Sequence, residues 1–482
     1  MTAPNVPNRT IFCDDNLDVM CGINSECIDL IYLDPPFNKN KEFTAPIGSS
    51  AEGASFKDIF REEDLKDEWV QTIGEDWPEL HHYLNGIRGV GKPYNFPYLA
   101  YMAIRLIECR RILKEMGSIY LHCDPTMSHY LKTTMDCIFE EGNFREEISW
   151  KRALSEQKGS QFKPRSWGGN TDIILFYVKS DAVRIDPYRK LAEDERVRKF
   201  KHVGEDGRRY YLDNAHIWRT PNMGARPNLC YEWRGFKNPH PAGWRLSKER
   251  LEEEYQKGNF VIRPDGKLER RKYEENYPGR PIGNFWDDIK PVQGKERTNY
   301  PTQKPLALLE RIIKASSNEG DLILDPFCGC ATTCVAAEKC DRQWIGIDIS
   351  VEAYKQVEKR MKKEVDKPQT DIFKGDTSIN LKTNPPVRTD QNGDRREQKF
   401  VYVISHPNFP GEYKVGIAKE WKSRLNSYQT SDPERQYKLE FKIETPKFRE
   451  TEKYIHDLFP NKHEWVQGDL DEIIGAIQEY IK

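Results

Sequence analysis

The sequence predicts an α/β fold built on an open, doubly wound sheet with mostly parallel strands. Strand-like and helix-like patterns alternate in the first part of the chain, with strands at residues 30–33 and 117–122 and helices at 97–114 and 128–139. The strand patterns are short apolar runs, whereas the helix patterns repeat apolar residues three and four positions apart. Such alternation is typical of parallel sheets that are covered by helices.

The alternation returns nearer the C-terminus. A helix pattern begins at residue 306, and strands at 321–325 and 344–348 flank a short helix of small residues. Residues 40–95 lack periodicity and are predicted to be a loop-rich insertion. From these changes in pattern we expect five segments: 1–149, which holds an Asp-Pro-Pro-Phe motif; 150–299; 300–366; 367–398, a linker; and 399–482, a small C-terminal domain.

Composition indicates a globular protein. With 482 residues the chain is too long for one ordinary core, so two or three domains are expected. No apolar run approaches the ~18–20 residues of a membrane span, and the N-terminus has no signal-peptide pattern. The 11 cysteines include no CxxC pair, which favours a reduced protein over a disulfide or zinc scaffold. We therefore expect a cytoplasmic protein.

The Asp-Pro-Pro-Phe segment ends the predicted strand at residues 30–33. Its two prolines lack N–H donors, so Asp34, Pro35, Pro36 and Phe37 cannot extend the strand. Asp34 and the Pro35 carbonyl are suited to accept the hydrogens of a planar amine, while Phe37 stacks on its ring. Open α/β sheets bind ligands at this edge. The alternative is a plain turn that Asp34 caps.

A second ligand-binding pattern follows the strand at 321–325. This strand ends in Asp325 and leads into a turn of small residues around Gly329, and the next strand ends in Asp348. A small-residue turn before a helix lets a ligand approach the main chain, and an acid at the next strand tip suits a ribose diol. Asp15 also follows a strand-like run, where it either contacts a cofactor or only caps a helix.

Residues 150–299 are rich in basic and aromatic side chains. From residue 141 to residue 300 there are 33 Lys and Arg against 25 Asp and Glu, which is a net charge of +8 and leaves −10 for the rest of the chain. The side chains of interest are Lys151, Arg152, Lys158, Lys163, Arg165, Trp167, Arg208, Arg209, Tyr210, Tyr211, Trp218, Arg219, Tyr231, Trp233, Arg234, Trp244 and Arg245. This mixture suits contacts with double-stranded DNA and stacking on an unpaired base. The alternative is a solvated surface over a small aromatic core.

Together the motifs resemble the amino-group DNA methyltransferases that use S-adenosylmethionine, in the circularly permuted β order and closest to the Mod-type adenine enzymes. The resemblance covers residues 10–365 and rests on segments 15–17, 32–38, 121–125, 300–305, 325–329 and 346–348. It implies a Rossmann-like methyltransferase fold in which 1–149 is the catalytic half, 150–299 the target-recognition and DNA-binding region and 300–366 the cofactor-binding half. It also implies a bacterial, archaeal or phage origin. The implied roles are a flipped base held by Asp34, Pro35, Pro36 and Phe37; the amino-acid end of the cofactor along Asp325, Phe327 and Gly329; its carboxylate at Thr302 and Lys304; its ribose at Asp348; and its adenine at Asp15.

The resemblance also indicates the target base. Asp before Pro-Pro is the usual adenine pattern, so N6-adenine methylation is expected, with N4-cytosine as the rival. Members often dimerise, so a homodimer is expected. Cys330 and Ala331 stand where Gly or Ser is usual, and Asp14 stands where Gly is usual; a glycine-only φ at Ala331 would be strained. The competing hypotheses are a DNA-binding protein with an inactive methyltransferase fold and an RNA methyltransferase.

The C-terminal part has its own pattern. Residues 377–398 are polar and contain Pro-Pro and Asn-Gly, which predicts a linker. Strands at 399–404 and 411–417 and helices at 420–428 and 471–481 then predict a small α+β domain.

This domain resembles the diverged, phage-type branch of the GIY-YIG endonuclease superfamily. The residues that carry the resemblance are Tyr402, Tyr413, Arg424, Glu452 and, one helical turn later, His456. It implies a tyrosine general base, phosphate stabilisation by Arg424 and one divalent metal such as Mg2+ on Glu452. Phe400 and Lys414 depart from the two motifs. Three alternatives follow: a nuclease, a DNA-binding module that does not cleave, or a small domain with tyrosines in its core.

Overall fold

The computed structural model describes residues 3–44, 55–153, 169–183, 185–213, 217–237, 240–298, 300, 302–364, 378–389, 399–418, 421, 424–425, 428–429, 432, 434–445, 447–462 and 465–481. Lys158, Lys163, Arg165 and Trp167, most of the predicted linker and part of the helix predicted at 420–428 lie outside these residues. The chain forms two compact units, Asp186–Gly283 and the remainder, Met1–Ile185 with Asn284–Lys482. Among the described residues, no helix is both long and apolar enough to cross a membrane.

The strands of the described residues are β1 Thr10–Cys13, β2 Ile28–Leu33, β3 Lys41–Thr44, β4 Ser55–Asp58, β5 Leu113–Cys123, β6 Phe144–Lys151, β7 Thr171–Val178, β8 Tyr188–Arg189, β9 His202–Val203, β10 Arg209–Asp213, β11 Phe260–Ile262, β12 Leu268–Tyr273, β13 Arg280–Pro281, β14 Phe285–Trp286, β15 Leu322–Asp325, β16 Gln343–Asp348, β17 Asn380–Lys382, β18 Lys399–Ser405, β19 Glu412–Ala418, β20 Lys438–Thr445, β21 Asn461–Lys462 and β22 Trp465–Gln467. The helices are α1 Asn16–Gly22, α2 Asp67–Asp76, α3 Pro78–Val90, α4 Asn95–Ile112, α5 Ser128–Phe139, α6 Glu193–Lys199, α7 Lys248–Gln256, α8 Leu306–Ser316, α9 Thr332–Lys339, α10 Val351–Glu364, α11 Phe448–Leu458 and α12 Leu470–Ile481.

The central sheet of the larger unit has the order β14-β6-β7-β5-β2-β15-β16-β1-β17. The six strands from β5 to β17 run parallel, and β7 is antiparallel to both β5 and β6. Nearly every residue of β2 and β15 is buried, as expected for parallel strands covered on both faces. The predicted α/β fold with a mostly parallel sheet is confirmed.

The prediction of a loop-rich insertion at residues 40–95 is wrong for the part that the structure describes, 40–44 and 55–95. This segment contains the β3–β4 hairpin and helices α2 and α3. Buried apolar residues recur at four-residue spacing within each helix, at Trp69 and Ile73 and at Leu80 and Leu84. The boundary at Pro78 divides this pattern into two short pieces, so the sequence shows little periodicity.

The prediction of a linker through residues 377–398 is also partly wrong. β17 adds to the edge of the central sheet, where Leu381 lies opposite Ile11 of β1. Beyond it, the Thr389 N–H donates to the Asn24 side chain at 2.6 Å. An edge strand with exposed side chains needs no apolar alternation, so the polar sequence gave no sign of it.

The smaller unit, residues 186–283, is narrower than the predicted DNA-binding region at 150–299, because β6, β7 and β14 belong to the central sheet. It contains an antiparallel sheet in the order β11-β12-β10-β9 together with α7. Trp233, Trp244, Leu251 and Phe260 are buried in its core. Some of the aromatic residues that were expected to contact DNA therefore stabilise the unit itself.

Residues 399–481 contain an antiparallel sheet in the order β20-β18-β19-β22-β21. Helices α11 and α12 pack on one face, where Val401, Val403 and Val415 form a core with Ile455 and Ile473. Alternation along β18 places Tyr402 on the opposite face, where it packs with Ile404 and Ala418.

Candidate active site

A cavity of 480 Å³ lies at the carboxyl edge of the central sheet, where β1, β2, β15 and β16 end. All eleven residues predicted for the methyltransferase site line this cavity: Asp15, Asp34, Pro35, Pro36, Phe37, Thr302, Lys304, Asp325, Phe327, Gly329 and Asp348. They come from both ends of the sequence. The structure brings them together because β15 pairs with both β2 and β16.

Asp34 has two carboxylate oxygens in different environments. Oδ2 forms an ion pair with the Lys304 ammonium group, whose side chain is 8% exposed. Oδ1 is buried and has no hydrogen-bond partner among the described residues. Lys304 Nζ also lies 5.2 Å from the centre of the Phe37 ring. Asp34 thus lines the cavity with one carboxylate oxygen that has no partner among the described residues.

The chain after Phe37 is held by the β3–β4 hairpin. Asp58, at the end of β4, accepts hydrogen bonds from the main-chain N–H groups of Phe37 at 3.2 Å and of Asn38 at 2.6 Å. Asn38 adopts a positive φ of 58°, a conformation that asparagine tolerates better than most residues. Sequence analysis missed Asp58, because nothing in the sequence links residue 58 to residue 37.

A buried hydrogen-bond chain supports the Phe37 ring from behind. Phe37 stacks on His122, with ring centres 5.9 Å apart. His122 Nδ1 accepts from the Tyr32 hydroxyl at 2.9 Å, and its Nε2–H donates to Asp172 at 3.3 Å. Burial and then the nearby Lys304 lower the pKa of His122, so the ring is neutral. Asp172 also pairs with Arg152 at 2.8 Å.

Asp325 and Asp348 lie close to the turn at Gly329. Asp348 accepts the Gly329 N–H at 3.0 Å, and Asp325 accepts the Phe327 N–H at 3.0 Å. Burial raises the pKa of Asp325 to about 7 and that of Asp348 to about 6. Neither carboxyl group has a cationic partner in the hydrogen bonds described for it, so both suit a ligand that brings positive charge or hydroxyl donors.

The turn itself has an unusual main chain. Gly329 has a φ of +48°, and a Cβ there would lie 3.0 Å from Cε1 of Tyr300. Ala331 has φ 55° and ψ 39°. This is the left-handed conformation in which an alanine, unlike the glycine that is usual here, is strained. Thr302 also has a positive φ of 61°, which is rare for a β-branched residue. Two residues with strained main chains, Thr302 and Ala331, therefore lie at or beside the cavity.

Asp15 both caps a helix and contacts a buried arginine. Its carboxylate accepts a hydrogen bond from the Leu17 N–H at 2.8 Å at the start of α1, so Asp15 is the helix cap that was one of its two predicted roles. It also accepts two hydrogen bonds from Arg105, at 2.9 and 3.0 Å. Arg105 donates further to Asn16 at 2.6 Å, and Asn16 in turn donates to the Pro326 carbonyl at 2.8 Å. Sequence analysis missed Arg105, which lies within the apolar pattern of α4.

The residues predicted for a nuclease site are not all brought together. Arg424 Nε donates to the Tyr402 hydroxyl at 3.2 Å and also pairs with Glu75 of α2 at 3.2 Å. Tyr413 packs into the core on the other face of the sheet, and Glu452 lies on α11, which covers that same face. Lys414 shares the face of Tyr402, since it pairs with Ile404 across the strands.

Curated relatives match most of this chain. The type II methyltransferase M.EcaI of Enterobacter cloacae is 27% identical over 74% of this chain and 69% of its own length. The DNA adenine methyltransferase YhdJ of Escherichia coli is 26% identical over 72% of this chain and 80% of its length. The type III StyLTI Mod subunit of Salmonella typhimurium is 27% identical over 69% of this chain, which spans half of that subunit. The solved M1.HpyAVI–SAM complex aligns at 17% identity over 73% of this chain and 98% of that chain, with a TM-score of 0.34.

Two family models match separate parts of the chain. Residues 399–480 match the T5orf172 domain, rather than a model of the GIY-YIG endonucleases. Residues 28–359 match the N6/N4 methyltransferase model, which is described as a DNA methylase. This match covers more than half of the chain and includes ten of the eleven cavity residues predicted from sequence, all except Asp15. The chain belongs to the N6/N4 DNA methylase family.

Proposed function

We propose that the protein transfers a methyl group from S-adenosylmethionine to the N6 amino group of adenine in duplex DNA. The observation that carries this proposal is the unpaired, buried Oδ1 of Asp34 in the 480 Å³ cavity. A buried carboxylate oxygen without a partner is costly. A donor hydrogen from a ligand amine would offset that cost.

The residues on the other side of the cavity fit S-adenosylmethionine. Asp325 and Asp348 suit its ammonium group and ribose hydroxyls. Gly329, where a Cβ would meet the Tyr300 ring, lets a ligand approach the main chain of the turn. When bound, S-adenosylmethionine supplies an electrophilic methyl group. Asp15 remains a candidate contact for the adenine of the cofactor, since it lines the cavity with a side chain that is 39% exposed, while Arg105 fixes its orientation.

The base-side residues orient the acceptor nitrogen. A target base enters such a cavity only after it has swung out of the duplex. Asp34 Oδ1 and the Pro35 carbonyl then accept the two amine hydrogens, while Phe37 stacks on the base. This arrangement directs the nitrogen lone pair out of the ring plane, a gain in orientation and electrostatics. Asp34 can also accept the proton that the methylated nitrogen must lose.

We assign Lys304 to Asp34 rather than to the cofactor carboxylate. Its ammonium group neutralises Asp34 Oδ2 and leaves Oδ1 for the substrate. A carboxylate oxygen accepts hydrogen bonds, so Oδ1 can receive one from the substrate amine. Thr302 remains a candidate contact for the cofactor carboxylate.

Adenine is favoured over cytosine by Asp34 before Pro-Pro and by the similarity to an adenine methyltransferase. The test is nucleoside mass spectrometry of duplex DNA and of RNA after incubation with deuteromethyl-labelled S-adenosylmethionine. The expected product is labelled N6-methyladenine in DNA. Labelled N4-methylcytosine would overturn the adenine assignment, and label only in RNA would overturn the assignment of DNA as substrate.

We further propose that the C-terminal domain binds DNA without cleaving it. Lys414, Arg424 and Tyr428 lie near Tyr402, with the Lys414 ammonium 4.5 Å from the Tyr428 ring centre. Cations beside aromatic rings suit a nucleic-acid backbone. The separation of Tyr413 from Tyr402 favours binding over Mg2+-dependent hydrolysis.

A further inference from the structure

The inserted unit, residues 186–283, has a cavity of its own. It measures 420 Å³ and is lined only by residues of this unit. Buried apolar side chains, among them Trp244, Leu251 and Phe260, form its floor. Its volume falls in the range of small-molecule sites, about 300–1,000 Å³.

Four cationic side chains line the same cavity: Arg219, Arg245, Arg270 and Lys272. No carboxylate is among its lining residues in the part of the chain that the structure describes. A partly enclosed group of like charges raises the local concentration of anions.

The described contacts leave most of this positive charge unneutralised. Arg219 donates to the Met223 carbonyl at 2.6 Å, and its Nε is buried with no described partner. Arg245 donates to the Trp218 carbonyl at 3.1 Å. These carbonyls accept hydrogen bonds but carry no net charge.

The two remaining cations are only weakly balanced. Arg270 is 3.8 Å from Glu254, which accepts a hydrogen bond from Asn259 at 2.9 Å, and it lies opposite Asp213 across the strands. Burial and then Arg270 lower the pKa of Lys272, with a smaller opposing effect from Asp213. Burial and the neighbouring Arg270 therefore both disfavour the positive charge of Lys272 while no anion is bound.

The main chain fixes where these cations lie. The Arg219 N–H donates to the Gly243 carbonyl at 2.9 Å, and the Arg245 N–H donates to the Ile217 carbonyl at 3.1 Å. Arg270 and Lys272 are two positions apart on β12, so both face the same side of the sheet. Two of the cations thus lie on segments joined by main-chain hydrogen bonds and the other two on strand β12, so their positions are fixed by more than one surface loop.

We infer that this cavity binds a nucleotide of the DNA, with the cations on its phosphate and the apolar floor against its sugar or base. This inference rests on the proposed function and adds a second nucleotide site, separate from the target-base cavity. Arginine is suited to phosphate because its planar guanidinium donates two parallel hydrogen bonds.

The test uses the full chain and a fluorescein-labelled single-stranded 12-mer, followed by anisotropy without cofactor. Arg219→Gln and Lys272→Gln are each expected to weaken binding roughly tenfold. Each is also expected to lower the salt slope, which is the slope of the logarithm of the binding constant against that of the salt concentration, by about 0.7, the value for one phosphate contact. Met223→Trp fills the cavity without changing charge and is expected to weaken binding as strongly, with an unchanged salt slope. Met223→Ala and Arg198→Gln, an exposed arginine paired with Asp194, are expected to stay within twofold of the unmodified chain.

Competition identifies the ligand. Deoxyadenosine monophosphate is expected to displace the 12-mer, whereas deoxyadenosine and inorganic phosphate alone are expected to be weaker. Wild-type binding by Met223→Trp, or equal losses for Arg198→Gln and Arg219→Gln, would overturn the inference. Methyl transfer to saturating duplex DNA, measured on the same variants, distinguishes this failure from failure of the proposed function, because the target-base cavity is unchanged in all of them.

Discussion

At the scale of single residues, two buried carboxyl groups at the cavity have raised pKa values. Burial raises the pKa of Asp325 to about 7 and that of Asp348 to about 6, whereas an aspartate in the unfolded chain titrates near about 3.9. Between those values the folded protein holds a proton that the unfolded chain has lost. The stabilising effect of this proton is complete below about pH 4 and is lost as the pH rises through about 7.

The first prediction concerns this pH dependence. For the unmodified protein without ligand, the midpoint temperature of thermal unfolding is expected to decrease as the pH rises from 5 to 7.5. In Asp325→Asn this decrease is expected to be smaller. Binding of S-adenosylmethionine, measured by calorimetry, is expected to tighten roughly tenfold over the same range, because ionised carboxylates attract its positive charge. An affinity that does not depend on pH would contradict the assignment of Asp325.

The second prediction concerns the strained turn. Ala331 and Ala336 are both fully buried, at the start and in the middle of α9, but only Ala331 has a positive φ. Replacement by glycine removes one buried methyl group at either site. Glycine relieves left-handed strain of about 1–2 kcal/mol, which offsets the loss of a methyl group worth about 0.8 kcal/mol, so Ala331→Gly is expected to leave stability nearly unchanged. Ala336→Gly loses both the methyl group and helix propensity, so it is expected to lower stability by about 2 kcal/mol. Urea unfolding of the two variants measures the difference, and equal losses would show that the turn is unstrained.

At the scale of elements, Arg105 joins α4 to the start of α1. Its guanidinium donates to Asp15 and Asn16 and lies 3.5 Å from the centre of the Tyr101 ring. A lysine cannot form this fork. The third prediction is that Arg105→Lys lowers stability by about 1–3 kcal/mol.

The matched control is Arg110→Lys on the same helix. Arg110 pairs with Glu140, whose side chain is 70% exposed, so this change is expected to cost under about 0.5 kcal/mol. Thermal unfolding compares the two variants. If both variants lose the same stability, the hydrogen bonds of the buried Arg105 guanidinium stabilise the protein no more than an exposed ion pair does.

The elements that sequence analysis predicted well are those with a strong apolar pattern. The helix at 128–139 has the predicted bounds, and the strand and helix patterns near residues 325 and 348 appear within two residues of their expected positions. The pattern of β17 was missed because only Leu381 among its three residues is apolar. The cavity residues from the Asp-Pro-Pro-Phe segment and the Gly329 turn were recognised by motif.

Their supports were not recognised, because contacts such as Asp58 with Phe37, or Lys304 with Asp34, depend on how distant segments pack. The motifs identified the residues at the strand ends, but which of these residues meet depends on the order of the strands in the sheet. Tyr413 shows the reverse case. It matches a motif position, yet strand alternation turns it away from Tyr402.

At the scale of the whole molecule, the C-terminal domain follows a methyltransferase in one chain. Arg424, which the resemblance assigns to phosphate, is paired with Glu75. The fourth prediction is that duplex DNA incubated with the protein and Mg2+ stays intact on a denaturing gel. Mg2+-dependent fragments that disappear in Glu452→Ala and persist in Asp457→Ala, a change of a neighbouring acid on the same helix, would establish a nuclease instead.

The fifth prediction concerns the central claim, that Asp34 holds the acceptor amine. The measurement is the single-turnover rate of methyl transfer from labelled S-adenosylmethionine to saturating duplex DNA, compared between the unmodified protein and Asp34→Asn. Asparagine preserves the shape of the side chain but removes the charge that pairs with Lys304. We expect the rate to fall at least about 100-fold, with the Kd for cofactor within about threefold. Asp181→Asn, at a side chain that is 92% exposed, is the control and should match the unmodified protein. A rate for Asp34→Asn within about tenfold of the unmodified protein would place the chemistry elsewhere.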